Sequence, residues 1–104
     1  MLDPKDYYCV RFVKPADPDT GVTAGYEGVV VDHHQAVDGR IVCVVEVAPW
    51  DEHGEPLVIV TVPEDHLERI QRTLDQSQRQ QINQRWEDLE RWLAVRRLAR
   101  RPNQ

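Results

Sequence analysis

The chain has four histidines, two cysteines and one serine, and the spacing of these side chains decides what chemistry they can do. Asp32, His33, His34, His53 and His66 are the one set worth testing as metal ligands, because neutral imidazole and carboxylate both bind divalent ions. Adjacent His33 and His34 on extended backbone point to opposite sides, and no H-x-x-x-H or H-E-x-x-H spacing occurs. Ordinary surface-loop histidines are expected, and neither a metal nor another cofactor is. Cys9 and Cys43 stand 33 residues apart and form no C-x-x-C knuckle. Their apolar, strand-like surroundings predict buried structural thiols rather than a disulfide or a reactive thiolate. Ser77 lies in a Gln-rich stretch with no G-x-S-x-G elbow around it. The acidic pairs Asp17/Asp19, Asp51/Glu52 and Glu64/Asp65 fall in loops or turns, and the glycines match no phosphate-binding loop. No enzymatic activity is expected.

Other residues suit recognition. Trp50 sits in the polar stretch Pro49-Trp50-Asp51-Glu52-His53. An exposed indole flanked by acids would suit a partner carrying basic residues. Alternatively, Trp50 folds back as a lid over one barrel end. Near the C-terminus, Ile82, Trp86, Leu89 and Leu93 share one stripe at helical spacing, widened by Trp92 and Ala99. That stripe either packs on the chain's own sheet or pairs with a second copy or another protein. Arg96, Arg97, Arg100 and Arg101 could meet nucleic-acid phosphates. They equally complement the C-terminal end of a helix dipole.

These residues need elements to hold them. Tyr7–Lys14, Tyr26–Asp32, Arg40–Ala48 and Leu57–Val62 read as four strands, parted by a long Pro/Gly/Asp loop and two short turns. Asp38-Gly39 marks one hairpin, and Gly28 a place where a side chain would crowd a neighbour. Residues 63–72 fit either a helix, from the spacing of Leu67, Ile70 and Leu74, or one 3₁₀ turn leading into a fifth strand, and the second is preferred because it gives the barrel its fifth strand. No helix separates the strands, so a small antiparallel meander curling toward a barrel is predicted. Strands three and four are apolar on both faces, which calls for a cover on the outside. The C-terminal segment is the candidate. Thr73-Leu74-Asp75-Gln76 has the form of a capping box, and neither Gly nor Pro interrupts the chain from there to Arg100. The polar stretch 75–84 is expected to be solvated, with docking concentrated in residues 82–99.

The run Gly25-Tyr26-Glu27-Gly28-Val29-Val30-Val31, then Val44-Val45-Glu46-Val47, Gly54 and Val60-Thr61-Val62-Pro63, resembles a family of small bacterial SH3-like barrel proteins of unknown function. The family pattern is G-x-x-G-x-V-V … Y-x-V-E-F … G … V-x-V, and the resemblance covers residues 5–72. Here Val44 takes the usual aromatic position and Val47 replaces Phe. The resemblance implies a fold and, with it, binding of peptides, proteins or nucleic acids. It implies no catalytic residue.

The 104-residue length fits one domain and excludes a TIM barrel or a two-lobed enzyme. No apolar run reaches a membrane span, and Met1–Asp6 lacks the plan of a signal peptide, so a cytoplasmic protein is expected. Residues 1–63 carry eleven acids and four bases, and residues 64–104 seven acids and nine bases, so an acidic body bears a basic end. The predicted architecture is mainly β: a small five-stranded SH3-like antiparallel barrel over 1–72, with an appended amphipathic helix over 73–104. The predicted function is non-catalytic protein binding, as an adaptor, accessory subunit or immunity-like neutraliser. The candidate residues are Trp50, Asp51, Glu52, Trp86, Leu89, Trp92 and Leu93. The expected partner is another protein, with a basic surface, or a second copy met through the helix, and no membrane. A nucleic-acid- or RNA-polymerase-associated barrel using the terminal arginines is the alternative. A small metal protein or enzyme using the loop histidines is the third reading.

Overall fold

The computed structural model describes the backbone of residues 1–100 and the side chains of residues 1–92. Five antiparallel strands form one curled sheet, a half-barrel, followed by one helix: β1 (Tyr8–Phe12), β2 (Glu27–Gln35), β3 (Ile41–Trp50), β4 (Pro56–Pro63), β5 (Leu67–Arg69) and α1 (Gln76–Arg100). The sheet order is β4-β3-β2-β1-β5, so the first four strands form a meander and the last returns to pair with the first. A 3₁₀ turn at Glu64–His66 makes that return, as residues 63–72 suggested. β4 and β5 are the two edges.

Alternation along the strands separates two cores. Val10, Phe12, Val30, Cys43, Val45, Val47, Val60 and Val62 fill the concave side. The long β1–β2 loop closes over it through buried Ala16 and Val22, whose backbones meet at 3.0 Å. Gly28 lets β2 and β3 approach: a Cβ there would lie 2.5 Å from the Glu46 carbonyl oxygen.

β2 and β3 run further than their composition suggested. His33, His34 and Gln35 stay paired with Cys43, Val42 and Ile41, so the hairpin tightens only at Ala36–Arg40, with Gly39 at φ 88°. β3 continues through a cis Ala48–Pro49 bond to Trp50. Trp50 therefore ends a strand and does not occupy the polar turn expected of it.

The helix begins two residues later than Thr73 would place it. Asp75 is the cap: its carboxylate accepts from the Gln78 N–H (2.7 Å), and Gln78 Oε1 accepts from the Asp75 N–H (3.1 Å). This reciprocal pair is a capping box, and the Asp charge also suits a helix N-terminus. Leu74 is meanwhile held in the second core.

Candidate protein-binding face

The convex side of the sheet carries a straight row of side chains. Cys9 pairs with Val29, Val29 with Glu46 and Glu46 with Ile59, so these four point outward in line across β1, β2, β3 and β4. α1 runs along this row. Near its start, the Arg79 guanidinium donates to the carbonyls of Pro4 (2.7 Å), Tyr7 (3.0 Å) and Leu74 (3.3 Å). Ile82 packs with Tyr7, Cys9, Val29 and Val31 in the second core. One turn on, Arg85 and Trp86 reach Glu46 on β3. The helix thus travels from β1 toward β4.

Docking lies earlier in the helix than its sequence implied. Residues 75–84 are not simply solvated: Ile82 is buried and Arg79 is tied to three carbonyls. Leu89, by contrast, is 40% exposed and Trp92 52%.

Glu46 is the centre of the docked region and is fully buried. Its carboxylate accepts from Trp50 Nε1 (3.2 Å) and Trp86 Nε1 (2.5 Å), and it forms an ion pair with Arg85. Arg85 also donates to the Gly54 carbonyl in the β3–β4 hairpin. A buried carboxylate is tolerated only with this many donors. Both indoles are anchors within the chain, because their N–H groups are already engaged. Tyr7 lies close by with its hydroxyl buried and without a hydrogen-bond partner among the described residues. Burial first, then the charge of Glu46, pushes its pKa up to about 12.

The remaining candidates are dispersed. Asp51 is an exposed turn former whose carboxylate accepts from the His53 N–H (2.8 Å) and the Glu55 N–H (3.0 Å). Its pKa is lowered, chiefly by the Glu55 bond. Glu52 is exposed and lies 3.6 Å from His53. The Leu93, Arg96, Arg97 and Arg100 side chains, and Arg101 altogether, lie outside the described residues.

The histidines part ways: His33 meets the Tyr8 hydroxyl at 2.7 Å, His34 meets Asp32 at 3.0 Å, and His53 sits in the β3–β4 turn. Among the described residues, no group of three or more His, Cys, Asp or Glu could hold a metal ion. Cys9 and Cys43 are free and buried, and burial raises both thiol pKa values, which disfavours the thiolate. No helix among the described residues is long and apolar enough to cross a membrane.

The row of outward side chains ends abruptly. Cys9, Val29 and Glu46 are buried, whereas Ile59, next in line, is 42% exposed and neighbouring Leu57 is 55% exposed. β4 is thus an edge strand with an apolar, uncovered outer face, and on α1 Leu89 and Trp92 are exposed as well. Sequence reasoning named Leu89 and Trp92 but missed Leu57 and Ile59. The available signal was the two-faced apolarity of β4 with too little helix to cover it. Comparison with protein-family models, with curated proteins and with solved structures gives no match.

Proposed function

We propose that this chain is a non-catalytic protein-binding module, and that it binds through the outer face at the β4 edge together with the second half of α1. The observation that carries this reading is the Cys9–Val29–Glu46–Ile59 row, sealed over three strands and open at the fourth. Apolar side chains gathered at a sheet edge mark an interaction surface more often than scattered ones do. The anchors move accordingly: Leu57, Ile59, Leu89 and Trp92 face the partner, while Trp50 and Trp86 hold the face together. The acidic body supplies complementarity to a partner with basic character. A cytoplasmic setting and membership of an SH3-like barrel family are part of the same reading.

The test uses the purified full chain as bait, with an Ile59→Thr, Leu89→Gln variant beside it. The variant keeps its circular dichroism and thermal midpoint, because neither side chain is buried, and loses the protein captured by the wild type. Equal capture by a folded variant would remove the face from consideration.

A further inference from the structure

The open edge has a specific shape. β4 spans Pro56–Pro63, and the sequence Leu57-Val58-Ile59-Val60-Thr61-Val62 between the two prolines carries no charge. Among the described residues, its backbone forms no hydrogen bond outside the β3 ladder. The opposite edge differs: β5 is three residues long and includes Glu68 and Arg69. Exposed edges are ordinarily blunted by short length or by charge. β5 is guarded in both ways, whereas β4 has a proline at each end and no charge between them.

The helix heads toward the same side of the sheet, with Arg85 and Asp88 beside the β3–β4 turn. From Tyr7 beside β1, past Val29 on β2, to Glu46 on β3, the docked segment from Arg79 to Trp86 traverses three strands. The helical backbone continues for fourteen residues to Arg100, about 21 Å at the α-helical rise. Only one strand lies ahead of it, roughly 5 Å further on. The projecting part has a distinctive charge order. Glu87, Asp88 and Glu90 come first, and residues 91–100 then hold four arginines and no acid. Two such helices laid antiparallel set the acidic stretch of each beside the basic stretch of the other.

We propose that the occupant of this face is a second copy of the chain, paired antiparallel through β4 to β4 about a two-fold axis, with the two projecting helices crossing the joint side by side. This rests on the protein-binding reading and names the partner. An isologous contact requires a surface complementary to itself. An uncharged strand flanked by prolines and a helix with acids first and arginines after meet that requirement together. Pairing β4 with the second copy's β5 would offer three charged-edge residues to eight uncharged ones, and would not bring the helices into register. The closed dimer covers Leu57 and Ile59 and joins two five-stranded sheets into one.

Sedimentation equilibrium of the full chain tests this. A mass of twice 12.1 kDa is expected. Ile59→Lys, which sets like charges together near the axis, should weaken self-association by roughly tenfold or more. Changing Glu87, Asp88 and Glu90 to Arg, or Arg96, Arg97 and Arg100 to Glu, should each weaken it, and mixing the two variants should restore a dimer. A wild-type monomer, a larger closed ring, or a dimer indifferent to Ile59→Lys would overturn the proposal. So would failure of the mixed charge variants to recover. If the wild type is monomeric yet still captures another protein through Ile59 and Leu89, the β4 dimer is wrong and the protein-binding reading survives. If it does neither, both fall.

Discussion

Glu46 shows how a single carboxylate can decide where a helix lies. It is fully buried, and two indole N–H groups and the Arg85 guanidinium converge on it from β3 and α1. Removing one partner from such a cluster leaves charge buried and unpaired, at a cost of about 3–5 kcal/mol. Arg85→Met, which leaves the buried Glu46 carboxylate without its cation, should therefore lower urea-unfolding stability by about that amount, and a loss under 1 kcal/mol would mean that the cluster is solvated. Gly28→Ala should also destabilise, because the added methyl would sit 2.5 Å from the Glu46 carbonyl oxygen and 2.8 Å from Val45 Cγ1. Tyr7 behaves in the opposite way. Its hydroxyl is buried without a partner among the described residues, so Tyr7→Phe should leave stability unchanged or slightly higher. The same residue sets an alkaline limit. Its folded pKa of about 12 lies above the ordinary 10.0, so its contribution is complete below pH 10 and is lost as pH rises toward 12. Tyr7→Phe should flatten that limb of the stability–pH profile. Asp51 acts on the acid side. Its lowered folded pKa gives stability that is present above the ordinary carboxylate range and lost as pH falls through the folded value. Asp51→Asn should reduce the acid dependence.

At the scale of elements, α1 divides into a docked half and a projecting half, and substitutions should divide with it. Ile82→Ala should cost about 2–5 kcal/mol as a buried-side-chain deletion. Leu89→Ala should cost within about 0.5 kcal/mol, as an exposed substitution does. Chemical denaturation of the two variants measures the contrast, and equal losses would show that Leu89 is packed. The strands themselves were largely legible. Alternating Val residues, Asp38-Gly39 and Pro63 located the meander and its turns, and the 3₁₀ turn into β5 followed from residues 63–72. Trp50 was misplaced because Pro49 and the acids after it resemble a turn, whereas the indole is held by Glu46, four residues earlier on the same strand. Glu46 itself drew no role, although a lone carboxylate inside Val-Val-Glu-Val is a strong local anomaly. Of the helix stripe, Ile82 and Trp86 dock, whereas Leu89 at the same spacing is 40% exposed, a division that helical spacing does not show. That depends on sheet width. Three strands offer about 10 Å of covered row, roughly two helical turns, and Leu89 lies beyond that length.

At the scale of the whole molecule, the net charge of −5 is the sum of an acidic sheet and a basic helix whose second half runs from acid to base. The docked half of that helix seals the sheet from β1 to β3, and β4 beyond it is an uncharged edge with Leu57 and Ile59 exposed. The proposed binding role requires that this edge and Leu89 meet protein. The most direct measurement places a photo-crosslinking amino acid at position 89, and separately at position 37, where Val37 is fully exposed on the β2–β3 turn as a control. Illumination in cells that express the chain should give a discrete protein adduct from position 89 and none from position 37. No adduct at 89, or the same adducts from both positions, would contradict the assignment of this face.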